Sequence, residues 1–119
     1  MPLDKLIKKI LEERNRNRGL PVHELSPAQA REKERLEGTS QRELDGYTIT
    51  DHLVRGMQGD LTARVYTPHG AGPFPVLIWF HGGGWVTGDL ETSQTTPINL
   101  CTKAGYIVAS VGYRLAPET

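Results

Sequence analysis

The residues best suited to chemistry lie together in one stretch, His81-Gly82-Gly83-Gly84-Trp85-Val86-Thr87-Gly88-Asp89. Three successive glycines let a backbone take up conformations closed to other residues. They also allow a ligand atom to approach the N–H groups with no Cβ in the way, so the loop can present convergent donors. A dinucleotide fingerprint needs glycines at spacing one, three and six; Gly82 and Gly84 fit, but Thr87 stands where the third belongs. A phosphate-binding P-loop would use Gly83 and Gly88, yet Asp89 occupies the place of the lysine that neutralises phosphate, and its carboxylate repels the ligand. An oxyanion hole of the HGGG type remains, in which backbone N–H groups between a strand and a helix stabilise the tetrahedral intermediate of ester hydrolysis. The plain alternative is a flexible turn after a strand.

Elements on both sides must hold this loop. Ahead of it, Val76-Leu77-Ile78-Trp79-Phe80 is unbroken apolar sequence, which predicts a strand covered on both faces as in a parallel sheet. After it, a short helix over roughly 93–104 is expected, with Pro97 near its start and Gly105 at its carboxyl end. Tyr106 to Val111 predicts a second buried strand, and strand, loop, helix, strand is a βαβ crossover. The loop then lies at the carboxyl end of a parallel strand, where ligands bind in open α/β sheets.

The blocks HGGGWVTGDLET and GYIVASVGYRLAPE, in this order and at this separation, resemble the matching blocks of the bacterial hormone-sensitive-lipase-like esterases. The resemblance is strong in 75–118 and weak in 1–45. It implies an α/β-hydrolase fold, here its amino-terminal part, with a mixed sheet and a helical cap segment over residues 1–43. Residues 44–119 would form the first strands and the first βαβ unit. It also implies a carboxylic ester hydrolase working through a serine acyl-enzyme, with no metal or organic cofactor. By the same resemblance Gly83 and Gly84 would donate the oxyanion-hole N–H groups and Gly82 would let the backbone turn. His81 would brace the loop, and Trp85 would wall the substrate pocket. Tyr113, Arg114, Pro117 and Glu118 would hold the sheet and active-site floor together.

No catalytic triad accompanies these residues. A hydrolase of this type needs G-x-S-x-G, then an acid and a histidine later in the chain. The nearest approach, Val108-Ala109-Ser110-Val111-Gly112, has valine for the first glycine and sets Ser110 inside an apolar strand, so Ser110 reads as structural. The nucleophile, acid and histidine are expected after residue 119, and the 119-residue chain is expected to be inactive. A truncated, non-catalytic ligand- or partner-binding module is the alternative.

The remaining sequence supplies limits. Of the 28 charged side chains, residues 1–43 hold 18 and residues 65–88 hold none, so two regions with different tasks are expected. With 14 basic and 14 acidic side chains, no sequence-independent attraction to nucleic acid arises. The partner class is a small-molecule ester, with a homo-oligomer possible for a full-length protein. The start lacks the pattern of a secretory signal, and no apolar run approaches the roughly 20 residues of a membrane helix, which points to the cytoplasm. Lone Cys101 reads as a buried apolar residue, and with four scattered histidines it gives no metal-ligand spacing.

Leu3, Leu6, Ile7, Ile10 and Leu11 recur at helical spacing, with Gly19 and Pro21 as a stop. This apolar stripe is expected to pack over a pocket. A second helix begins at Ser26 with Pro27 and Gln29 completing a capping box, and ends at Gly38; its charges, Arg31, Glu32, Lys33, Glu34 and Arg35, read as a solvated face. Two half-buried strands follow, one through Tyr47, Ile49 and Leu53 and the other through Leu61, Ala63 and Val65, turning near Gly56 to Asp60. The last strand is expected to leave an apolar sheet edge exposed, which makes the chain prone to aggregate.

Overall fold

The computed structural model describes residues 3–37 and 45–119. The expected end of the second helix at Gly38 and the boundary at residues 43 and 44 lie outside them. Helix α1 runs over Lys5–Arg16, with the Asp4 carboxylate accepting from the N–H groups of Leu6 and Ile7. Helix α2 is Pro27–Glu37. Its capping box forms as expected: Ser26 N–H donates to Gln29 Oε1 at 2.9 Å, and Gln29 N–H to Ser26 Oγ at 3.3 Å. Each contact satisfies a donor that a helix start would otherwise leave unpaired.

Four strands follow, β1 (Tyr47–Val54), β2 (Leu61–Pro68), β3 (Val76–Phe80) and β4 (Ile107–Gly112), with helix α3 (Thr95–Ala104) between the last two. They form one mixed sheet in the order β1-β2-β4-β3. The pair β3/β4 is parallel, while β1/β2 and β2/β4 are antiparallel. Gly105 closes α3 in the left-handed region at φ 70°, as its position in the sequence suggests.

Register explains which residues are buried. Leu77 stands beside Val108 and Val108 beside Tyr66, so these three share the sheet face toward α3. There Tyr66, Val108, Ile98 and Cys101 form a small core, with Leu77, Trp79, Leu100 and Tyr106 packed around it. Cys101 is a free, buried thiol whose pKa burial pushes up. Burial of Tyr66 pushes its phenol up to about 12, against an opposing effect from Arg64. Ser110, opposite Trp79 on the same face, is buried within β4, in keeping with a structural residue.

Several expectations need correction. The apolar run of β3 is covered on one face only: Val76, Ile78 and Phe80 are 67%, 63% and 63% exposed, because their alternate neighbours Leu77 and Trp79 take the face toward α3. The open edge next to the parallel pair is β3, not the last strand, since β4 inserts between β2 and β3. The α1 stripe packs over nothing among the described residues: no residue of α1 is buried, and Leu3, Leu6, Ile7, Ile10 and Leu11 are all exposed. Strand β2 also departs from simple alternation, because the fully buried Tyr66 lies on the face opposite Ala63 and Val65.

Candidate functional site

His81 leaves the carboxyl end of β3, and the glycine loop begins there. Its first half is a tight turn in which the Gly83 carbonyl accepts from Val86 N–H at 3.1 Å, Thr87 N–H at 2.9 Å and Thr87 Oγ1 at 3.2 Å. Gly83, Gly84, Trp85 and Gly88 all have positive φ, at 129°, 59°, 62° and 90°. Trp85 is thus a bulky side chain in the left-handed region, a conformation that costs roughly 1–2 kcal/mol and persists only where surroundings enforce it. A contact that enforces it is the Trp85 carbonyl accepting from Ala116 N–H at 2.8 Å.

Two glycines are required by contact as well as by conformation. A Cβ on Gly83 would lie 2.1 Å from the Thr87 carbonyl oxygen, and one on Gly88 would lie 2.4 Å from His81 Nδ1. Around Gly82 and Gly84 there is open space. The loop is therefore a built turn rather than a flexible one. Among the described residues, no acceptor takes the N–H groups of Gly82, Gly83 or Gly84, and all three residues are exposed.

His81 is buried at the base of the turn. Its Nδ1 sits 2.8 Å from the Gly82 carbonyl oxygen, which can only accept, so Nδ1 carries the proton. Tyr113 Oη donates to the His81 carbonyl at 2.6 Å and its ring stacks on the imidazole, with centroids 4.3 Å apart. The imidazole Nδ1 and the carbonyl of His81 are thus both engaged within the described residues. The other residues of that block reach outward too. Arg114 donates to the Gly59 carbonyl at 3.3 Å in the β1–β2 turn, and Glu118 pairs with Arg31.

Helix α2 is not simply a solvated face. Arg31, Glu34 and Arg35, spaced to share one side of the helix, all meet the loop or the turn after β4. Arg31 Nε donates to the Val86 carbonyl at 2.7 Å, and its Nη2 to the Ala116 carbonyl at 2.9 Å. The same guanidinium grips both carboxylate oxygens of Glu118, at 2.9 and 2.8 Å. Glu34 Oε2 accepts from Gly88 N–H at 2.7 Å, and Arg35 Nε donates to Asp89 Oδ2 at 3.2 Å. The Arg31 hydrogen bond holds the Glu118 carboxyl well down, at about 2. Burial alone would raise Asp89, but hydrogen bonds from Thr92, Arg35 and the Glu91 N–H outweigh it and its pKa is lowered. These contacts were hidden in the sequence because each spans more than 50 residues; the one visible signal was acidic and basic residues at spacing 31, 34, 35.

A cleft of about 440 Å³ opens between α2 and the turn after β4, lined by Arg31, Glu34, Arg35, Asp89, Arg114 and Glu118 among others. Gly82, Gly83 and Gly84 do not line it, and Trp85, 76% exposed, does not either. A second cleft of about 390 Å³ is lined by His81, Tyr113 and the triad of charges Asp51, Arg64 and Glu91. Arg64 binds both oxygens of Asp51, at 2.8 and 2.9 Å, and Glu91 at 2.6 Å, which raises the arginine and lowers Asp51. Among the described residues no group of three or more His, Cys, Asp or Glu could hold a metal ion, and no helix is long and apolar enough to cross a membrane.

Residues 77–119 match a protein family described by the alpha/beta hydrolase fold. The thermostable esterase of Pseudomonas putida superposes on 98% of this chain with a TM-score of 0.85 at 27% identity, the chain covering 37% of that structure. This chain has the α/β-hydrolase fold in part. The hyperthermophilic esterase of the archaeon Pyrobaculum calidifontis matches 100% of this chain and 39% of its own, with a TM-score of 0.81 and 28% identity. In sequence, the chain is 44% identical over 70 residues to the carboxylic ester hydrolase LipN of Mycobacterium tuberculosis, covering 59% of this chain and 19% of LipN. It is 42% identical over 74 residues to the ethyl acetate hydrolase of Pseudomonas putida, covering 62% of this chain and 20% of that enzyme. It therefore spans about a fifth of the length of these curated relatives and well under half of the solved esterases.

Proposed function

We propose that this chain supplies the oxyanion-binding part of a serine carboxylic ester hydrolase whose nucleophile, acid and histidine lie outside these 119 residues. The observation that carries this reading is the set of unengaged N–H groups at Gly83 and Gly84, on a braced turn at the carboxyl end of a parallel strand. As a nucleophile adds to an ester carbonyl, the oxygen gains negative charge, and donors already aimed at it need no reorganisation. Gly83 and Gly84 donate to that oxygen. His81 takes no proton from substrate; it holds the Gly82 carbonyl, and Tyr113 holds the carbonyl of His81. Trp85 walls the acyl or alcohol side of the substrate once the rest of the site surrounds it. The relatives named for carboxylic ester and ethyl acetate hydrolysis support a small, uncharged ester as substrate class.

A ligand-binding role without catalysis would use the same donors for a carboxylate or ester carbonyl, and the burial of Ser110 in β4 favours it for the chain in isolation. Fluorophosphonate treatment followed by intact-mass measurement, beside hydrolysis of p-nitrophenyl butyrate, tests the division of labour. The expected result on the 119-residue chain is no covalent adduct and no turnover. An adduct on any of its serines would show that the nucleophile lies within this chain and overturn the reading.

A further inference from the structure

The glycine loop returns upon itself at Gly88. This residue has φ 90° and passes so close to the start of the loop that a Cβ would lie 2.4 Å from His81 Nδ1 and 2.6 Å from the Gly82 carbonyl oxygen. A displacement of Gly88 is therefore felt directly by the two residues that precede the donor N–H groups. The N–H of Gly88 is held by a carboxylate from another element, Glu34 Oε2 of α2, at 2.7 Å. One helical turn earlier, Arg31 holds the Val86 carbonyl at 2.7 Å. Helix α2 thus grips the returning half of the loop by one donor and one acceptor, two residues apart in the loop. Hydrogen bonds to an ionised partner are the shorter and stronger kind. Within the loop itself, the hydrogen bonds closing the turn all end on the single Gly83 carbonyl and reach only as far as Thr87.

We propose that Glu34 is a positioning residue: its carboxylate fixes Gly88, and through the Gly88–Gly82 contact it sets the direction in which Gly83 and Gly84 present their N–H groups. Arg31 assists by fixing Val86. The catalytic meaning of this rests on the oxyanion reading above, but the coupling from α2 to the loop is a property of the 119-residue chain and is measured without turnover.

The test is amide exchange and chemical shift by NMR on the chain and on Glu34→Ala and Glu34→Gln, all carrying Ile78→Lys so that the open face of β3 does not pair with other copies. Glutamine retains a side-chain oxygen able to accept from Gly88, whereas alanine does not. Glu34→Ala is expected to speed exchange at Gly88 by about tenfold or more, the scale of a lost hydrogen bond to a charged group, and to shift the Gly83 and Gly84 amide signals. Glu34→Gln is expected to restore most of both, with α3 and β4 amides unaltered throughout. Unchanged Gly88, Gly83 and Gly84 signals in Glu34→Ala would overturn the proposal. So would loosening that spreads to α3 and β4, or a loss that glutamine fails to rescue. Should Glu34→Ala not fold, the chain with Glu34 in place decides: a through-hydrogen-bond coupling between Gly88 15N and Glu34 13Cδ is expected, and its absence overturns the proposal. A loop that responds to Glu34 in a protein where Gly83→Ala leaves ester turnover intact would uphold the coupling and remove only the oxyanion reading.

Discussion

Gly83 and Gly82 are neighbours of the same type with opposite tolerances. At Gly83 the left-handed φ and the Thr87 carbonyl both exclude a side chain; at Gly82 a Cβ meets open space. The motif itself displays both residues, but only the fold separates the glycine that is indispensable from the one that is convenient. Arg31 and Glu118 carry a second residue-scale consequence. Glu118 has its carboxyl lowered from 4.5 to about 2 by the Arg31 hydrogen bond. A lowered folded-state pKa means a contribution to stability that is full above the unfolded value of 4.5 and is lost as pH falls through about 2. The side-chain 13C signal of Glu118 is thus expected to titrate near 2 in the parent chain and to move up in Arg31→Ala. A parent midpoint near 4.5 would show that the pair is not formed.

Elements were legible where a local rule sets them. The capping box at Ser26 and Gln29 and the glycine at the end of α3 depend on residues a few positions apart, and both form. Ser26→Ala removes the Oγ that accepts from Gln29, and it is expected to destabilise the docked α2 by about 1 kcal/mol in urea unfolding; no change would mean that α2 is held by its loop contacts alone. Partners far apart in sequence were not legible. The charges of α2 resemble any solvated helix until Val86, Gly88, Asp89 and Glu118 are brought to them. Likewise, the unbroken apolar run of β3 predicted cover on both faces, yet only the face of Leu77 and Trp79 meets the core. The glycine loop was readable for the opposite reason, since the residues that shape its turn are contiguous.

Over the whole molecule, the sheet is packed where α3 covers β2, β4 and β3, while β1 and the opposite face of β3 are open. Val76, Ile78 and Phe80 present a row of apolar side chains on the edge strand, beside Ile107, Ala109 and Val111 of β4. Exposed apolar patches on edge strands pair with other chains. The 119-residue chain is therefore expected to self-associate at micromolar concentration, and Ile78→Lys is expected to shift it toward monomer in sedimentation velocity. A monomeric parent chain would contradict this view of the face.

The central claim, that the braced glycine loop stabilises an oxyanion, is tested most directly by transplanting residues 75–119 into the corresponding place of the Pseudomonas putida ethyl acetate hydrolase. Turnover of a short-chain ester is then compared with and without Gly83→Ala, with Gly82→Ala as the control for a tolerated side chain. In an active chimera, Gly83→Ala is expected to lower kcat by roughly 10²–10³ with a small change in KM, as for loss of an oxyanion donor, while Gly82→Ala has a much smaller effect. An active chimera whose kcat is unchanged by Gly83→Ala would contradict the account.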